Sequence, residues 1–158
     1  EFGVFYEAAY ARQENNGASP DYARAALRVE RGELALSGRY EMLGSDDGVA
    51  FQTPLATLHK FQGAADLFLT TPPDGIEDFE VKALWRVGSL GALRGTSLAL
   101  QYNAYHAAEG NARYGDEWGA EAGVTFASTR FSVAASHYRA DTFATDTTRV
   151  WLTVGRKF

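Results

Sequence analysis

The stretch Val150-Trp151-Leu152-Thr153-Val154-Gly155-Arg156-Lys157-Phe158 decides how the rest of the chain is read. Successive side chains of a strand point to opposite faces. Val150, Leu152, Val154 and Phe158 therefore share one face, and Trp151, Thr153, Gly155 and Lys157 the other. An alternating strand that stops on a terminal aromatic residue is how bacterial outer-membrane β-barrels close. In such a barrel one face of each strand meets lipid and the other the interior, so the pattern is also a statement about solvent.

The same period recurs upstream, giving about eight segments in all. Phe2, Val4, Tyr6, Ala8 and Tyr10 oppose Glu7 and Gln13; Ala23, Ala25, Leu27 and Val29 oppose Arg24, Arg28 and Glu30. Leu34, Leu36, Gly38, Tyr40 and Met42 oppose Ser37, Arg39 and Glu41; Phe79, Val81, Ala83, Trp85 and Val87 oppose Asp78, Glu80, Lys82 and Arg86. Leu98, Leu100, Tyr102 and Ala104 oppose Ser97, Gln101, Asn103 and Tyr105; Trp118, Ala120, Ala122, Val124 and Phe126 oppose Glu117, Glu121 and Thr125. Phe131, Val133 and Ala135 oppose Arg130, Ser132, Ser136 and Tyr138. The predicted spans are 2–13, 22–30, 34–43, 77–87, 97–107, 117–126, 130–139 and 150–158. Each runs to about 9–12 residues, the length a tilted strand needs to cross a bilayer.

At 158 residues the chain is one domain by length. Mean hydropathy is -0.26, and no apolar run approaches the roughly 20 residues of a membrane helix. That excludes little here, because barrel strands signal by alternation. There are no cysteines, so a disulfide framework and a thiolate metal site are excluded. The net charge of -5 argues against nucleic acid as a partner. Glu1-Phe2-Gly3-Val4 already reads as strand, which implies either that a signal segment was removed or that the chain is a piece of something longer.

The connections carry a second signal. Those at 31–33, 88–95 and 127–129 are mostly short, whereas those at 15–20, 44–75, 108–116 and 141–146 are mostly longer or more polar. Short turns on one side and long loops on the other match the periplasmic and extracellular ends of an outer-membrane barrel. The predicted fold is an all-β, transmembrane, antiparallel up-and-down barrel with about eight strands in this chain. A lipocalin-like soluble barrel, with its apolar face inward, is the main alternative, and a β-sandwich a minor one. The aromatics Tyr10, Tyr40, Trp85, Tyr102, Trp118, Phe126, Phe131 and Phe158 on the apolar side favour the membrane, since such residues suit a lipid–water boundary.

The polar side then lines a lumen. Its members are Glu7, Arg24, Arg28, Glu30, Arg39, Glu41, Asp78, Glu80, Lys82, Arg86, Gln101, Asn103, Glu117, Glu121, Arg130, Arg149 and Lys157. Charges there must be paired or wet, and Arg28 or Glu30 is expected to meet Arg39 or Glu41 across neighbouring strands. About eight strands leave room only for side chains, giving a salt-bridged, non-conducting barrel that serves as a structural or interaction subunit or as an anchor; about 16 leave an aqueous channel. No cofactor is expected. Ser136 and His137 are adjacent on a strand and point apart, so they do not make a nucleophile–base pair, and no other catalytic set is recognisable. Ser45-Asp46-Asp47-Gly48 reads as a solvated acidic turn ahead of a calcium site. The loop acids Asp46, Asp47, Asp74, Glu109, Asp116 and Asp141 are placed to meet divalent cations on lipopolysaccharide.

The connection 44–75 is too long for an idle loop. Thr53-Pro54 is a good helix start, a hydroxyl cap followed by proline at the first helical position. Leu55, Leu58, Ala65, Phe68 and Leu69 then fall near helical spacing, so a short amphipathic helix over Thr53–Leu69 is predicted. Folded into the lumen it is a constriction carrying Thr53, Leu55, Leu58, His59, Lys60, Phe61 and Phe68; packed outside, it caps the mouth.

These residues also carry a likeness. The run 39–48 (RYEMLGSDDG), then 51–63 (FQTPLATLHKFQG), resembles the C-terminal part of the alginate-export-type outer-membrane porins. Tyr114-Gly115-Asp116-Glu117-Trp118, the run 140–147 (ADTFATDT) and the closing Lys157-Phe158 are similar too. The resemblance covers most of the chain from about Gly38 onward. It implies an outer-membrane channel for small polar or anionic solutes, including sugars or polysaccharide. It also implies, within membrane lipid and lipopolysaccharide, either the C-terminal half of a larger barrel, partnered by the remaining half or by other subunits, or a true small barrel built from the same strands.

Overall fold

The structure is a computed structural model that describes residues 2–15, 17–53 and 62–156. Its strands in chain order are β1 (Phe2–Arg12), β2 (Asp21–Arg31), β3 (Leu34–Leu43), β4 (Ser45–Asp46), β5 (Val49–Ala50), β6 (Ile76–Leu90), β7 (Leu93–His106), β8 (Arg113–Phe126), β9 (Thr129–Ala140) and β10 (Thr147–Arg156). β4 and β5 form a small hairpin; the other eight make one sheet in the order β1-β2-β3-β6-β7-β8-β9-β10. Every neighbouring pair is antiparallel, so the sheet is a plain meander.

All eight predicted segments fall on these long strands. The largest extensions lie where alternation breaks. Register shifts between Arg86 and Leu90 and between Arg94 and Ser97 carry β6 and β7 on to a tight turn at Gly91-Ala92, beyond the predicted ends. A bulge adds one residue to one strand, so the period-2 signal flips phase there.

The two faces have opposite chemistry, and the register keeps them so across the whole sheet. One transverse row reads Leu27, Gly38, Val81, Tyr102, Trp118, His137; the row behind it reads Ala26, Arg39, Glu80, Asn103, Glu117, Tyr138. The apolar face is the exposed one: Leu100 is 65% and Leu152 76% exposed. The polar face carries the buried residues, among them Glu41, Asp78, Asn103, Glu117 and Ser136. A soluble β-protein buries the apolar side of its strands; here the sides are exchanged.

The only sizeable apolar core lies on the polar side, at the long-loop end. It comprises Leu43, Ala65, Phe68, Ile76, Tyr105, Ala107, Tyr114 and Tyr138 among the described residues. Residues from the connection between β5 and β6 complete it.

Two expectations need correction. Among the described residues no pairing joins β10 to β1, so the sheet is open and not a closed eight-stranded barrel. The physical reason is room: eight strands enclose a space that side chains alone fill, and this polar face already holds the backbone of residues 62–68 as well. Among the described residues the predicted helix is also not seen. Residues 62–69 are irregular, with Gln62, Gly63 and Asp66 at positive φ, a backbone that an α-helix does not use. Residues 54–61 lie outside the described residues.

Candidate functional site

The polar face divides into two regions along the strands. Nearer the long loops, Arg39 lies between two acids, its Nη2 2.8 Å from Asp78 Oδ2 and 3.0 Å from Glu80 Oε2. Asn103 donates to Asp78 Oδ1 at 2.7 Å, and Gln101 donates to Asn103 Oδ1 at 2.7 Å. Asp78 is completely buried, so the guanidinium and the amide replace the water its charge would otherwise need.

The segment 62–68 is stapled into this region by several polar contacts. Glu117 Oε1 on β8 accepts from the amide N–H groups of Ala64 at 2.8 Å and Ala65 at 3.2 Å. Gln62 donates to Glu41 Oε2 on β3 at 2.8 Å, and Tyr22 donates to Glu41 Oε1 at 2.8 Å. Arg149 on β10 pairs with Asp66 at 3.1 Å. Gly63 sits at φ 80, where a Cβ would collide with the Tyr105 hydroxyl and the Glu117 carboxylate, so a side chain would push the segment off the wall.

Phe68 anchors the far end of the segment. Its ring centroid lies 4.7 Å from Tyr105 and 4.9 Å from Phe143, with Tyr114 and Tyr138 each at 6.0 Å. Tyr138 donates to the carbonyls of Tyr114 at 2.6 Å and Phe143 at 3.0 Å, tying the β9–β10 loop to the same cluster. Gln52 locks the connection farther out: its side-chain amide exchanges hydrogen bonds with the backbone of Thr71, and its own backbone exchanges them with the side chain of Gln13, just past β1.

Nearer the tight turns the face is looser. Arg86 and Arg28 both pair with Glu30, Arg86 at 2.9 Å. Arg130 donates only to neutral acceptors, Gly95 O at 3.3 Å and Ser97 Oγ at 3.4 Å. A cavity of about 420 Å³ opens beside it, bordered by Lys82, Arg86, Thr96, Ser97, Glu121 and Arg130. At the β1 edge, Arg24 meets Glu7 at 3.3 Å.

The predicted lining residues from Glu7 to Arg149 all fall on this one face, spread over every strand of the sheet. The expected pairing of Arg28 or Glu30 with Arg39 or Glu41 is corrected. The register sets Arg28 opposite Ser37 and Arg24 opposite Glu41, so Arg28 turns to Glu30 on its own strand and Arg39 to β6. Of the predicted constriction residues, Phe68 is in the aromatic cluster and Thr53 begins the stretch that leaves β5. Leu55, Leu58, His59, Lys60 and Phe61 lie outside the described residues, as do Lys157 and Phe158. Ser136 is buried on the polar side while His137 faces out, its Nδ1 2.8 Å from Thr148 Oγ1. The Asp46 carboxylate accepts from the Ser19 amide at 2.7 Å, which makes it a loop tie.

The alternation did not expose Gln62, Asp66, Gly123 or the role of Tyr105 and Tyr138. The last two stood in the pattern as polar-side tyrosines at the loop ends of β7 and β9, which is where an aromatic plug has to be held. Comparison of the chain with family models, with curated proteins and with solved structures gives no match.

Proposed function

We propose that this sheet is the wall of a transmembrane β-barrel of the bacterial outer membrane, and that its polar face lines a passage for small polar or anionic solutes. One observation carries this: the apolar face is open to the surroundings while the charged face holds the buried network. In water that arrangement wastes the hydrophobic effect; in a bilayer it satisfies it. The long strands run from 10 to 15 residues, enough to span hydrocarbon when tilted.

A spanning sheet must have no free edge. The unpaired margins of β1 and β10, and the width needed to hold residues 62–68 inside, support closure by further antiparallel strands, the remaining half of a larger barrel. The likeness to alginate-export-type porins supports the same reading. Residues 62–68 then narrow the passage. Their dense packing also supports a second reading, a plugged barrel that acts as an anchor or an interaction subunit.

Planar-bilayer recording of the purified protein tests the proposal: stepwise ionic conductance is expected. Insertion without conductance would favour the plugged barrel. Substitution Leu100→Arg on the exposed face tests the membrane itself. It is expected to cost about 2–4 kcal/mol if that position lies near the bilayer midplane, measured by denaturant unfolding from lipid vesicles. An exposed site on a soluble protein would change by no more than about 0.5 kcal/mol, and that result would return the chain to water.

A further inference from the structure

One cavity on the polar face lies near the tight turns, bordered by residues of β6, β7, β8 and β9. Small residues from β7, Ser97 and Ala99, border it; on β8 they face Gly123 and Glu121. A Cβ at Gly123 would run into the Arg130 guanidinium, so this glycine is what lets Arg130 reach from β9 over β8 to β7. Register shifts in β6–β7 and β7–β8 widen the sheet at the same place, and bulges commonly re-aim side chains at sites.

Its charges are not balanced. Arg86 is committed to Glu30. Among the described residues no ion pair engages Lys82, Arg130 or Glu121, so two cations face one acid. Arg130 has five N–H donors and spends two contacts on neutral acceptors at the long end of hydrogen bonding. Thr96 borders the same space with other atoms, while its Oγ1 is enclosed by protein. A fork, an ammonium and the Ser97 hydroxyl around a space of about 420 Å³ make a receptor for one compact oxyanion.

We infer that Lys82, Arg130 and Ser97 form a discrete binding subsite for a small oxyanion, a carboxylate or phosphate group carried by a solute no larger than a sugar acid. The site lies just beyond the inserted segment, since Ala64 borders the adjoining space together with Lys82, Ala99 and Glu121. It rests on the proposal that the polar face lines a passage: a solute that clears the segment meets these cations next.

Isothermal titration of the full chain in detergent, with inorganic phosphate in one arm and glucuronate in the other, tests the subsite. Neutral glucose is the reference. At least one anion is expected to bind, and the preferred one identifies phosphate esters or sugar acids as the source. Lys82→Gln and Arg130→Gln should each weaken binding roughly tenfold or more, the loss of one charge-assisted hydrogen bond. Lys82→Arg should retain it, and Arg12→Gln, at the far end of β1, should leave it unchanged. Anions that bind no better than glucose, or that bind both glutamine variants as tightly as the wild type, would overturn the subsite. Conductance measured on the same preparation separates the two proposals: current without anion binding keeps the passage and removes the subsite, and anion binding without current does the reverse.

Discussion

The long-loop end of the polar face is packed like a soluble core, whereas the tight-turn end of the same face is wet and open. Toward the loops, Tyr105 and Asp78 are fully buried and the segment 62–68 fills the space between β3, β8 and β10. Toward the turns, Lys82 and Arg130 stand around an open cavity. Both regions belong to the same strands with the same alternation. The strands therefore do not decide what fills the interior; the connections do. One end receives a long inserted segment and three tyrosines, and the other receives two-residue turns such as Gly32-Glu33, which leave nothing to put inside.

The difference predicts that equal changes of charge have unequal cost. The largest effect is expected for Arg39→Leu. It leaves Asp78 and Glu80 facing each other with no cation between them, and Asp78 has no water to turn to. Stripping one partner from a buried ion pair costs about 3–5 kcal/mol, read as a shift in denaturant midpoint in detergent micelles. A change below about 1 kcal/mol would place the loop end in the same wet regime as the turn end and erase the contrast.

A smaller effect is expected for Glu117→Ala. The amides of Ala64 and Ala65 lose their acceptor in a site with little access to water. Unsatisfied buried donors cost about 1–3 kcal/mol. The loss should be local, because Phe68 still holds the far end of the segment. Hydrogen exchange at those two amides should accelerate while exchange in β7 and β8 is unchanged. Uniform acceleration along β8 would mean that the segment is part of the wall's own stability and not a separable insert.

How much of this was open to a reader of the sequence follows the same division. The alternation alone gives the eight strands, both faces and the side of the sheet on which the lining charges from Glu7 to Arg149 stand, because period 2 is a local property of each strand. It does not give the insert. Ala65, Phe68 and Leu69 mimic helical spacing, yet they sit on irregular backbone shaped by contacts with Tyr105 and Glu117, residues about 40 to 50 positions away. Closure is equally hidden, since the pairing of β1 and β10 depends on how wide the interior must be and not on either strand's pattern. The cavity escaped notice because a glycine marks it: Gly123 among Val124, Ala122 and Glu121 looks like an ordinary small residue until Arg130 is seen lying across it.

The smallest effect on stability is expected at that cavity. Lys82 has no carboxylate partner among the described residues and borders open space, so its ammonium can stay hydrated whether or not its neighbours are present. Lys82→Gln should shift the denaturant midpoint by no more than about 0.5 kcal/mol. Its ion preference is another matter. Removing one of the two cations that no ion pair engages among the described residues lowers the positive potential over the whole tight-turn end, where little packed protein screens it. In a conducting barrel the reversal potential under a salt gradient should therefore move toward cations at low ionic strength, and the shift should fade as the Debye length shortens from about 10 Å at 0.1 M to about 3 Å at 1 M. Arg39→Leu is expected to do the opposite, costing stability with little change in ion preference, because its charge is already enclosed between Asp78 and Glu80. If Lys82→Gln left the reversal potential unmoved at low salt, the open end would not lie on the ion's path, and the division between a packed end and a conducting end would fail at its wet half.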